Sequence, residues 1–176
     1  MKRILVLLFV LLCPLALPFS PVQGAAEPPA DDIREVPACP LCGMDRNKFD
    51  FSRVFIEYDD GSHFGGCSLH CAAIDMAVNI DKAPVKVWVA DYNTKALIDA
   101  EKAFWVVGGK KMGVMTKRAK WAFRTKQEAE KFIQQFGGVS ADFEEAAEAA
   151  YEDMYQDTRM IREKRKMKRM KKMKSS

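Results

Sequence analysis

Four cysteines set the tightest condition on how this chain can fold. Cys39 and Cys42 stand in C-P-L-C and Cys67 and Cys71 in C-S-L-H-C, with twenty-four residues between the pairs. The chain must join them as disulfides, close them around a structural zinc, or hold them for a soft metal ion. Met44 follows Cys42 by two positions, and His70, one of only two histidines, lies inside the second pair. A thioether is a poor ligand for zinc and a good one for Cu(I). The second pair has i, i+4 spacing at the start of a helical pattern. Both thiols then share one face, and Cys67 sits at the positive end of the helix dipole, which favours its thiolate.

The N-terminus has a basic head at Lys2 and Arg3, an apolar run over residues 4–17, and small residues around Val22, Gly24 and Ala26. That pattern predicts a cleaved export signal over residues 1–26. Cys13 lies within the apolar run after Leu12, not after a small residue, so a cleaved signal is preferred over a lipid anchor. The expectation is an exported protein, periplasmic or outer-surface, soluble or resting on a membrane. Disulfides survive in such a compartment, so that reading of the cysteines stays open.

Residues 27–36, rich in Pro and Asp, read as a flexible leader. "SRVFIEYDDGSHF" alternates apolar and polar residues around Asp59-Asp60-Gly61 and predicts a hairpin with strands at 53–58 and 62–64. Helical spacing follows from Cys67 to Asn79, and "VKVWVADY" is a further strand. The second half repeats the order more weakly: "AFWVVGG", "KWAFRT", then a helix opened by Thr125 with Glu128 three residues on, stopped at Gly137-Gly138. The fold class expected is α+β, with duplicated β-β-α-β units at about 37–92 and 93–138. A Gly-rich loop at 109–119 carries Met112 and Met115.

Net charge is +4, but it is not spread evenly: residues 25–138 hold sixteen basic and sixteen acidic side chains. Residues 141–157 carry seven acidic and no basic residues, and 159–174 carry ten basic and one acidic. The segment 139–176 is read as a helical tail, acidic then basic. On an exported protein such a tail fits anionic lipid or an acidic partner and not nucleic acid.

"CPLCGMDRNKF", "AFWVVGGKKMGVMTKRAKWAF" and "EAEKFIQQFGG" together resemble the NosL family of exported copper-binding accessory proteins, over roughly residues 36–138. The resemblance implies a pair of β-β-α-β units arranged as in organomercurial lyase, Cu(I) binding, and delivery to nitrous oxide reductase and its assembly machinery. The family's Cys-x-Met maps to Cys42 and Met44, and its second-half methionine to Met115. Cys39, Cys67, His70 and Cys71 are additions to that pattern. A shorter likeness, C-x-x-C-G-M followed by "GSHFGGCSLHC", is to TRASH- and YHS-type metal-binding domains.

The resulting expectation is a Cu(I) metallochaperone, not an enzyme, with metal ligands drawn from Cys39, Cys42, Met44, Cys67, His70, Cys71 and Met115. Zn2+ in a treble-clef-like structural domain docking a membrane or protein partner is the alternative. A heavy-metal or organomercurial role, with Asp45 or Asp75 donating a proton, is a third. His63 reads as an ordinary cross-strand residue.

Overall fold

The computed structural model describes residues 27–175; the expected export signal and Cys13 lie outside them. Eleven elements follow in order: α1 (Asp32–Glu35), β1 (Val54–Tyr58), β2 (His63–Gly66), α2 (Leu69–Val78), β3 (Pro84–Ala90), β4 (Leu97–Asp99), β5 (Phe104–Val107), β6 (Lys120–Phe123), α3 (Lys126–Phe136), β7 (Val139–Ala141) and α4 (Phe143–Lys174). The class is α+β: two antiparallel sheets and a long C-terminal helix.

The sheets repeat one topology. The first has order β2-β1-β3-β4, the second β6-β5-β7. In each, the first strand of the unit is central. Its hairpin partner lies on one side, and the strand that follows the helix lies on the other. β4 is an extra edge strand, paired antiparallel to β3. Paired strands thus run past the expected unit ends at 92 and 138: β4 belongs to the first sheet and β7 to the second. Three-residue strands carry too little alternation to be seen in sequence.

One core joins the units. Val54, Ile56, Val89, Trp105, Val106, Trp121, Phe123 and Phe132 are buried in a single cluster with the cysteines. Asp91 fastens the joint. Its carboxylate accepts from Asn93 N, Thr94 N, Thr94 Oγ1 and, across the boundary, from Arg124 N at 2.7 Å. Burial pushes this carboxyl up, but the Thr94 and Arg124 N–H groups, the Thr94 hydroxyl and Asn93 N–H hold it below its ordinary value.

The expected flexible leader is tied down at its end. Asp32, buried in α1, lies between Arg46 (2.7 Å) and Arg53 (2.9 Å). The one carboxylate that bridges these two arginines comes from the Pro/Asp-rich stretch.

α4 packs on α2 and on β5. Its start is a full capping box, Asp142 with Glu145. The acidic half is spent on the second unit: Asp153 accepts from Arg118 Nε (2.8 Å) and Lys120 Nζ (2.5 Å), and Glu152 from Arg118 Nη2 (2.7 Å). The basic half, from Arg162 onward, is exposed. No helix among the described residues is long and apolar enough to cross a membrane.

Candidate metal centre

The first thiol pair sits in a knuckle. Cys39 N donates to Met44 O at 2.9 Å, and Gly43 N donates to Cys39 O at 2.8 Å. Gly43 turns the chain with φ +75, a left-handed conformation that glycine adopts without a Cβ clash. The base of the knuckle is pinned by Arg46, which is fully buried. Its guanidinium donates to Gly66 O, Asp32 O, Val36 O, Val54 O and the Asp32 carboxylate at 2.6–3.2 Å. This arginine therefore ties the knuckle to β1, β2 and the leader. A Cβ on Gly65 would lie 2.8 Å from Arg46 Nη1, so that glycine is what admits the guanidinium.

The second pair is delivered by the turn from β2 into α2. Cys67 follows the last residue of β2, and Cys71 is the third residue of α2. Ser52 Oγ donates to Cys67 O at 2.8 Å and fixes the turn.

These two devices bring the four thiols together: all four Sγ atoms lie within 4.8 Å of one another. Cys42 Sγ is 3.4 Å and Cys71 Sγ 3.8 Å from Cys67 Sγ. A disulfide would need about 2.05 Å; here the four are free thiols. Four sulfurs at about 2.3 Å from a central ion would stand about 3.8 Å apart, so the group has the size of a single metal site. Cys39, Cys67 and Cys71 are buried, and Cys42 is the half-buried member. Met44 Sδ adds a fifth sulfur, 3.9 Å from Cys67 Sγ.

The thiols cannot ionise independently. Cys39 is driven far down because Cys42, Cys67 and Cys71 can all donate to its sulfur. Cys67 and Cys71 are pushed far up by their bonds to Cys39 and Cys42 and, further, by burial. Against its bond to Cys39, which raises it, Cys42 is lowered by Cys67 and Cys71, and a cation entering the group displaces whatever protons the four sulfurs share.

The other expected ligands divide. Met115 lines the same two cavities as Cys42. His70 lies outside the group of four, with Nδ1 3.5 Å from Asp157 Oδ2 on α4, and neither ring nitrogen has a hydrogen-bond partner. Burial lowers its pKa. His70 is buried on α2, faces the buried Asp157 carboxylate of α4, and lines a cavity together with Cys42 and Cys71. His63 stacks on Phe55, with ring centroids 5.2 Å apart, as a cross-strand residue does. Both suggested proton donors are committed elsewhere: Asp45 accepts from Asn47 N and Lys48 N, and Asp75 accepts from Tyr58 Oη at 2.5 Å.

Sequence reasoning missed two contributors. Arg46 gave no signal beyond its place after the knuckle. The distal part of α4 did give one: Thr158, Ile161, Arg162 and Arg165 fall at i, i+3, i+4 and i+7, a single helix face. All four line the cavity that contains Cys42 and Cys71, and Arg165 Nη2 donates to Cys42 O at 3.1 Å.

A family model described as NosL matches residues 29–151. Among solved structures, the chain is similar to the crystal structure of the copper chaperone NosL from Shewanella denitrificans. They share 25% identity and a TM-score of 0.51, with 61% of this chain and 87% of that one covered. No curated protein matches it significantly.

Proposed function

The chain belongs to the NosL family, and from that premise we propose that it is a Cu(I) chaperone whose cargo rides on the thiol group. The observation that carries the reading is the convergence of four Sγ atoms within 4.8 Å, with the Met44 thioether beside them. Soft sulfur donors select a monovalent soft cation. Cys42, half-buried and flanked by two cavities, is the ligand through which the ion enters and leaves. Met115 stands by it in both cavity walls. Cys39, Cys67 and Cys71, buried behind it, retain the ion. The protein makes and breaks only metal–sulfur bonds, so it is a carrier, not an enzyme.

The acceptor is a copper enzyme, and nitrous oxide reductase with its assembly machinery is the acceptor that family membership proposes. Residues 1–26 would direct export to the periplasm or outer surface. The exposed basic half of α4 would rest on anionic lipid.

One observation favours a second reading. Four cysteines at tetrahedral spacing, three of them buried, also suit a closed structural zinc. Competition titration of the reduced mature protein, with metal analysis of protein purified without added metal, separates the two. The copper reading expects one tight Cu(I), released to a strong Cu(I) chelator and weakened in Cys42→Ser/Met44→Ala. Tightly retained zinc that Cu(I) does not displace would refute it.

A further inference from the structure

A cavity of about 430 Å³ opens beside the thiol group, with Cys42 and Met44 in its wall. The rest of its lining includes Met112 and Met115 from the Gly-rich loop and Met160 from α4. Four methionines from three separate segments thus meet in one cleft. Met44 and Met115 also pack against the core, but Met112 and Met160 lie outside it. Met112 is 73% exposed and buries little apolar surface. Met115 occupies a left-handed backbone conformation (φ 64), which a residue with a side chain adopts at a cost. Leucine would fill an apolar cleft with better-defined rotamers. Met160 lies past residue 151, where the family match ends.

Among the described residues no carboxylate lines the cleft; its polar residues include Thr116, Lys164 and Arg165. Hard divalent ions need oxygen ligands and would find almost none. A soft monovalent cation finds thioethers. Thioethers are neutral, and Lys164 and Arg165 add positive charge, so the hold is weaker than that of the anionic thiolates next door.

We propose that this cleft is a second, lower-affinity Cu(I) station, built from the thioethers of Met112 and Met160, from which the ion passes by way of Met115 to Cys42 and Met44 in the shared wall. The proposal rests on the reading of the thiol group as the carrier site. Transfer exchanges copper–thioether bonds of the station for a copper–thiolate bond to Cys42 and a copper–thioether bond to Met44. Copper stays monovalent throughout, and the proton displaced from a Cys42 thiol leaves to water.

Silver(I), a redox-inert stand-in, tests this on the full mature chain carrying methyl-labelled methionine. A first, tight equivalent should move the Met44 methyl. A second, weaker one should move those of Met112 and Met160. Met167, Met170 and Met173, also on α4 but absent from the cleft wall, should stay in place. Met112→Leu with Met160→Leu, volume-conserving and tolerated by the fold, should weaken the second equivalent at least about tenfold and slow Cu(I) uptake from a chelator, leaving the first unchanged. Undiminished second binding in that variant, or equal shifts at Met167, Met170 and Met173, would overturn the proposal. The two failures are distinct: cleft shifts without a tight first equivalent refute the thiol carrier, and a tight first equivalent without cleft shifts refutes the station alone.

Discussion

The two helices that follow the hairpins stand at equivalent places in the repeated topology, yet they begin in opposite ways. α3 closes its own start: Thr125 Oγ1 accepts from Glu128 N and donates to Glu128 Oε2 at 2.7 Å. α2 has Ser68 at its N-cap with no side-chain cap bond, and Ser68 Oγ is buried without a partner. Its start is occupied by Cys67 and Cys71 instead. α3 buries only Ala129 and Phe132, whereas α2 buries six residues beneath α4. One copy of the unit spends its helix start on local stability. The other leaves it to sulfur and covers it with a further helix. The two sheets share one topology, and only the one served by a knuckle gathers four thiols at its helix start.

The largest expected effect comes from removing what the second unit lacks. Arg46→Ala should destabilise the metal-free protein by about 3–5 kcal/mol, because it leaves Asp32 buried without one of its two arginines and frees four backbone carbonyls. Denaturant unfolding measures this. Next, Cys67→Ser with Cys71→Ser should lower Cu(I) affinity at least about a hundredfold, read by chelator competition, with little change in the fold of the second unit. The same titration bears on the thiol protonation. Cys67 and Cys71 are held protonated, so loading releases protons and affinity should fall as pH falls. Calorimetry in buffers of different ionisation enthalpy counts the protons. Asp91→Ala cuts the joint between the sheets and should cost about 1–3 kcal/mol. Because the folded carboxyl lies below its ordinary value, that contribution is present at neutral pH and fades as pH drops through the folded value. Smallest is Thr125→Ala, about 1 kcal/mol of stability with no effect on metal affinity. A loss of copper binding in that variant would mean the units are not independent in function.

Local sequence carried much of this. Alternation around Asp59-Asp60-Gly61 marks the first hairpin, and the T-K-Q-E start marks α3. The C-x2-C and C-x3-C spacings mark two halves of a centre, since each half is built within a single turn. What joins the halves was not legible. Arg46 reaches residues eight to twenty positions away, and Asp32 reaches it from a segment that looks like linker. His70 was legible only in part. Its place between two thiols suggests a ligand, and it does line a cavity with Cys42 and Cys71, but its neighbour Asp157, on a helix 87 positions away, could not be read from local spacing. The reach of α4 over the thiol group was visible only as a spacing whose partner surface sequence could not supply.

The central claim is that sulfur alone surrounds the ion at the first unit's helix start. X-ray absorption at the copper edge, on reduced mature protein loaded with one Cu(I), tests it most directly. The account predicts a first shell of sulfur scatterers at about 2.3 Å that loses a scatterer in Cys42→Ser. A shell containing nitrogen or oxygen, or one unaltered by that substitution, would contradict it.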